Sequence, residues 1–142
     1  MNQAVDSEKL LGHAVEELLE ERKSLLALFC ELAGMGESRT HAQPQPLLRR
    51  FCQLLIDYAS LWQFEIHDLL LRSDGRHEKA CRELEKLQPI IFEASDVALE
   101  FNDRYDDSDH PLDLSRMEAH LSKLGETLAT RFDAEDRIIS VI

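Results

Sequence analysis

The sequence predicts an all-α domain, an antiparallel up-down-up-down four-helix bundle. Three observations predict it. Apolar residues recur at spacings of three and four along four long segments. The segments are separated by three breaks rich in Gly, Pro, Ser or Asp. No alternation of Val, Ile or Thr suggests a strand anywhere. Helices of about 25 residues are ~38 Å long at 1.5 Å per residue, and short links between them make antiparallel neighbours.

The first helix is expected over residues 5–33. Leu11, Ala14, Val15, Leu18, Leu25, Phe29 and Leu32 share one face. Gly34 and Gly36 end it, because glycine accepts the left-handed cap conformation. Residues 37–46, with the run QPQP, form a loop. The second helix, 47–71, is the most apolar. Its broad face holds Leu48, Phe51, Cys52, Leu55, Tyr58, Ala59, Trp62, Ile66 and Leu69. Ser73-Asp74-Gly75 is a short turn.

The third helix, 76–105, carries Leu84, Leu87, Ile91, Ala94, Ala98 and Phe101. Pro89 lies inside it, so a kink or restart is expected there. Residues 106–111 read as an acidic loop. The fourth helix, 112–142, presents Leu114, Met117, Leu121, Leu124, Leu128, Phe132 and Ile139.

A chain of 142 residues suits one domain, 1–142. It is large enough to fold without disulfides or a structural metal. The formal net charge is −12, which argues against nucleic-acid binding and against an anionic membrane. It favours a basic partner. Cys30, Cys52 and Cys81 are odd in number and widely spaced, with no CxxC. No secretory signal and no apolar span of membrane length is seen. A cytoplasmic protein with free thiols is therefore expected.

Charges that interrupt apolar stripes are the informative positions. Arg22 is flanked by Leu18, Leu19, Leu25 and Leu26. Glu135 follows Phe132 and precedes Ile138, and Arg131 lies four residues before it on the same face. Asp57 sits inside LLIDYASLW. A charge buried without a partner costs several kcal/mol. These residues thus form a structural ion-pair network, or line a polar cavity that receives a partner's side chain. Trp62 and Phe64 are core residues or, if exposed, interface anchors.

Catalytic and metal chemistry find no support. There is no Glu-x-x-His pair of the di-iron bundles. The histidines (His13, His41, His67, His77, His110 and His120) are scattered. No nucleophile elbow, phosphate loop or HExxH occurs. No cofactor and no enzymatic activity are expected. A metal- or ligand-carrying bundle is the remote alternative.

Four stretches carry a family resemblance. FCQLLIDYASLWQFEIHDLLL, residues 51–71, resembles a Phe-Cys-x-x-Leu-Val-Asp-Tyr-x-Ser segment of the bacterial regulator of sigma D family, Rsd/AlgQ. LLEERKSLLALFCELAG, ALEFNDRYDD and LGETLATRFDAEDRIISVI are similar to its first helix, the end of its third and its last helix. The resemblance implies an anti-sigma factor with a helical-bundle fold. It would bind the C-terminal domain of the primary RNA polymerase sigma factor and inhibit promoter recognition. That domain reads the upstream promoter element, so it is basic, which suits an acidic partner.

The resemblance names Asp57 as the first candidate to pair with a sigma arginine. Arg22, Arg131 and Glu135 would hold or line the site, with Ser60, Trp62 and Phe64 beside it. One departure falls here. After Ser60 the family usually has a small residue and then Gly-His-Phe, where this chain reads Leu61-Trp62-Gln63-Phe64. A helical-bundle regulator with a different cytoplasmic protein target is the second reading.

Overall fold

The computed structural model describes residues 2–35, 44–106 and 111–142. They form four helical rods and, among the described residues, no strand. The first rod is α1 (Asn2–Met35). The second is α2 (Pro44–Leu61), a π-helical stretch (Trp62–His67) and a last α turn, α3 (Asp68–Leu71). The third is α4 (Glu78–Tyr105) and the fourth α5 (Met117–Ile139). The rods pack α1 on α2, α2 on α4 and α4 on α5, with α1 meeting α5 to complete the bundle.

The expected stripes form the core. Leu11, Leu18, Leu25 and Leu32 of α1 are buried against Leu48, Phe51, Leu55 and Tyr58 of α2. From α4 the alternating set Leu84, Leu87, Ile91, Ala94, Ala98 and Phe101 is buried throughout. Phe51 and Phe101 meet edge to face at 5.7 Å, a geometry that adds to area burial.

Some boundaries differ from expectation. Pro44 and Pro46, expected in a loop, lie in the first turn of α2. Proline is tolerated there because the first N–H groups of a helix have no intrahelical acceptor. Residues 36–43 and 107–110, and with them Gly36, His41 and His110, lie outside the described residues. The helix at Pro89 does not restart, since α4 runs through it as one element. The last helix begins at Met117 and not near residue 112. Here the Asp113 carboxylate accepts the Ser115 backbone N–H at 3.0 Å, a local bond that competes with helix.

The turn from the second rod to α4 is tight. Asp74 and Gly75 both have positive φ, 56° and 81°. Asp tolerates this left-handed region better than most residues, and Gly has no steric penalty.

The π-helical stretch was not expected, and the core explains it. Tyr58, Trp62, Ile66 and Leu70 are all buried, three successive spacings of four. At about 100° per residue, twelve residues overshoot three turns by ~120°. One extra residue in a widened turn removes that drift. Leu70 therefore takes the core position expected for Leu69, which is only half-buried.

Candidate partner-binding site

One hydrogen-bonded network touches all four rods. Glu135 of α5 is fully buried at its centre. Its Oε1 accepts from Tyr58 Oη at 2.5 Å and from Arg22 Nη2 at 3.1 Å. Its Oε2 accepts from Arg131 Nε at 2.8 Å. Arg22 also donates from Nε to Tyr58 Oη at 3.1 Å and from Nη1 to Asp136 at 2.7 Å. Arg131 Nη1 reaches Ser95 Oγ of α4 at 3.0 Å. The Arg22 guanidinium lies 4.7 Å from the Phe132 ring centre, and Tyr58 meets Phe132 edge to face.

The electrostatics follow from this geometry. Burial raises the Tyr58 hydroxyl pKa far above its ordinary range, and the Glu135 carboxylate adds to the rise. Tyr58 thus stays protonated and donates. Arg131 is 1% exposed, and its Nη2 has no hydrogen-bond partner among the described residues. Two arginines share Glu135, so removing that carboxylate leaves both without their common acceptor.

Of the two readings of these charges, the geometry is that of a structural network. Arg131 and Glu135 lie inside the protein and offer no surface of their own. Arg22 is nearly covered, its side chain 12% exposed. Trp62, expected as core or anchor, is core at 1% exposure, and this corrects its place among partner-contacting residues. Phe64 is on the surface, at 73% exposure.

Asp57 stands apart from the network on the outer face of α2. It is exposed and accepts from Gln53 Nε2 at 3.1 Å. Glu17, Glu21 and Glu65 share its surroundings. Burial raises the pKa of Glu21, and the charges of Glu17, Asp57 and Glu65 raise it further. The face formed by α1 and the second rod is therefore strongly negative beside Asp57. Ser60, one turn on, is half-buried and opens into a cleft between the second rod and α4.

This cleft was missed in the sequence. It has a volume of about 220 Å³. Ala59, Ser60, Ser95 and Ala98 keep its floor low, and Phe64, Phe92 and Leu99 stand around it. Phe92 and Leu99 lie off the alternating core stripe of α4, a signal that two further apolar residues face outward. Among the described residues, no group of three His, Cys, Asp or Glu side chains is placed to hold a metal. None of their helices is long and apolar enough to cross a membrane.

The sequence profile described as "Regulator of RNA polymerase sigma(70) subunit, Rsd/AlgQ" matches residues 2–142. This chain belongs to the Rsd/AlgQ family. It is similar to the "Regulator of sigma D" of Sodalis glossinidius, 30% identical over 98% of this chain and 96% of that protein. It also resembles the "Regulator of sigma D" of Yersinia enterocolitica, 28% identical over 88% of this chain and 77% of the relative. The protein of that name from Yersinia pestis is 26% identical over a similar share. No solved structure matches. The family's description is that of regulators of the sigma(70) subunit of RNA polymerase.

Proposed function

We propose that this Rsd/AlgQ protein binds the C-terminal domain of the primary sigma factor and blocks its promoter recognition. The observation that carries the reading is the position of Asp57. Its neighbour Tyr58 is locked into the interior by Glu135 and Arg22, and this turns Asp57 outward on a negative face. A sigma arginine meeting Asp57 there gains a charge-assisted hydrogen bond. The buried network is a positioning device: it sets the rotation of α2 against α1 and α5. The order of contacts supports alternating rod directions. Arg22 meets Tyr58 while Glu8 meets His77, and Arg131 meets Ser95 while His120 meets Tyr105.

Titration calorimetry against the isolated C-terminal domain of the cognate primary sigma factor, at low and moderate salt, tests this. The expected result is one-to-one binding that weakens with salt. Asp57→Ala should bind roughly tenfold or more weakly, with unchanged thermal unfolding because Asp57 is exposed. Binding of that variant at wild-type strength would remove Asp57 from the site. No binding by the folded wild-type protein would point to a different protein target.

A further inference from the structure

A second hollow lies between α4 and α5. It is lined by Val97, Glu100, Phe101 and Arg104 of α4 and by His120 and Lys123 of α5, with a volume of about 130 Å³. It shares no lining residue with the cleft between the second rod and α4. We propose that this hollow binds the phosphate group of a small ligand, either free phosphate or a phosphomonoester. The site stands or falls apart from the sigma-factor reading.

Positive charge gathers here on a chain of net charge −12. Arg104 and Lys123 line the hollow. Arg116 stands one turn before His120, whose backbone N–H donates to the Arg116 carbonyl at 3.1 Å. Desolvation lowers the His120 pKa, and the charges of Arg104, Arg116 and Lys123 lower it further. Three cations are thus close enough to one imidazole to repel its proton. Among the described residues they form no salt bridge, unlike Arg72, Arg82 and Lys86 elsewhere on the surface. Glu100 lines the hollow too, and Asp113 is close enough to Arg104 to share its field. Neither pairs with the cluster. Cations held near one another repel, and an anion between them removes the repulsion.

His120 is oriented for the same task. Its Nδ1 lies 2.6 Å from Tyr105 Oη. Burial raises the Tyr105 pKa, so the phenol keeps its proton and donates to Nδ1. The neutral ring then carries its own proton on Nε2, a donor left for an anion in the hollow. An anion there offsets the three cations, so His120 holds a second proton more readily once the site is filled.

Size and charge select a small ligand. One water needs ~10–15 Å³ and pockets for drug-sized molecules measure ~300–1,000 Å³, so 130 Å³ suits a group the size of phosphate. A nucleic acid or an anionic lipid surface extends over many screening lengths and meets the negative charge of the whole chain. A small ion feels mainly the groups within about 8 Å of it.

The imidazole resonance of His120 in the full chain, followed by NMR, reads binding. Inorganic phosphate is titrated in, with sodium chloride holding the ionic strength constant. The expected result is a saturable shift with a Kd of about 1–10 mM, and a His120 titration midpoint that moves up in pH. Arg104→Gln and Lys123→Gln should each weaken binding about fivefold or more. Glu100→Gln should strengthen it about twofold or more. Arg137→Gln, near the far end of α5, should change it less than about twofold. All four side chains are exposed, so circular dichroism melts should match wild type.

Glycerol 3-phosphate separates the two sources. Tighter binding than inorganic phosphate assigns the site to a phosphomonoester, and equal or weaker binding assigns it to free phosphate. No saturable shift up to about 50 mM phosphate overturns the proposal. So does a shift that sodium chloride alone reproduces, or equal binding by wild type, Arg104→Gln and Lys123→Gln.

Discussion

Tyr58 is one residue with two tasks, and a single oxygen performs both. Its hydroxyl donates to Glu135 and accepts from Arg22, while its ring packs against Phe132. Tyr58→Phe keeps the ring and strands Glu135 and Arg22 of one partner each. The expected cost is about 1–3 kcal/mol at pH 7, measured by urea unfolding. The pH dependence has a definite sign. The folded state holds the Tyr58 proton more tightly than the unfolded chain, because burial and Glu135 raise its pKa. Above about pH 10 the unfolded chain loses that proton first, so stability falls as pH rises. The slope from this one group approaches ~1.4 kcal/mol per pH unit. Unfolding curves at pH 8 to 11 should therefore fall less steeply for Tyr58→Phe than for wild type. Equal slopes would show that the tyrosine does not titrate differently in the two states.

At the scale of the element, the second rod shows how a core can overrule a helix. Its apolar residues keep spacings of four where the α-helix wants an average of 3.6. The π-helical stretch Trp62–His67 reconciles them. Removing Gln63 would leave Tyr58, Trp62, Ile66 and Leu70 separated by four, three and four residues, the ordinary α pattern. The Gln63 deletion is therefore expected to fold, with a cooperative melt close to that of wild type. Deleting Gln53, in the regular part of the same rod, rotates everything after it by about 100° against the core. That variant should lose cooperative unfolding. If the two deletions are equally damaging, the widened turn is not what keeps the face in register. The spacings of four were visible in the sequence, as was Pro89. What the sequence could not weigh was the cost of a broken helix against a lost core contact, and in both places the helix continued.

For the whole molecule, the decisive unit is the network around Glu135, which joins Arg22 of α1, Tyr58 of α2 and Arg131 of α5, with Ser95 of α4 at its edge. A pair within one helix would fix little. This one joins all four rods, so its loss is felt globally. Glu135→Ala leaves the Arg131 charge buried without its acceptor, and the expected destabilisation is about 3–5 kcal/mol, read from the midpoint and slope of chemical unfolding. A loss under 1 kcal/mol would mean that water or a shifted side chain replaces the carboxylate.

The sequence by itself determined the helical class, the core stripes of α1 and α4, and the residues that hold charge against an apolar face. These follow from periodicity, which is local and repeats along the chain. It also carried the family, through four stretches in register. Only the tertiary structure decided which charges are enclosed and which face out. Arg131 and Glu135 are four apart on one helix, but their burial depends on Arg22 and Tyr58 from rods distant in sequence. Trp62 and Phe64 are two positions apart and similar in hydrophobicity, yet one is core and the other is exposed. That choice depends on a helical turn widened by packing against other rods, a long-range effect that no pattern within the segment contains.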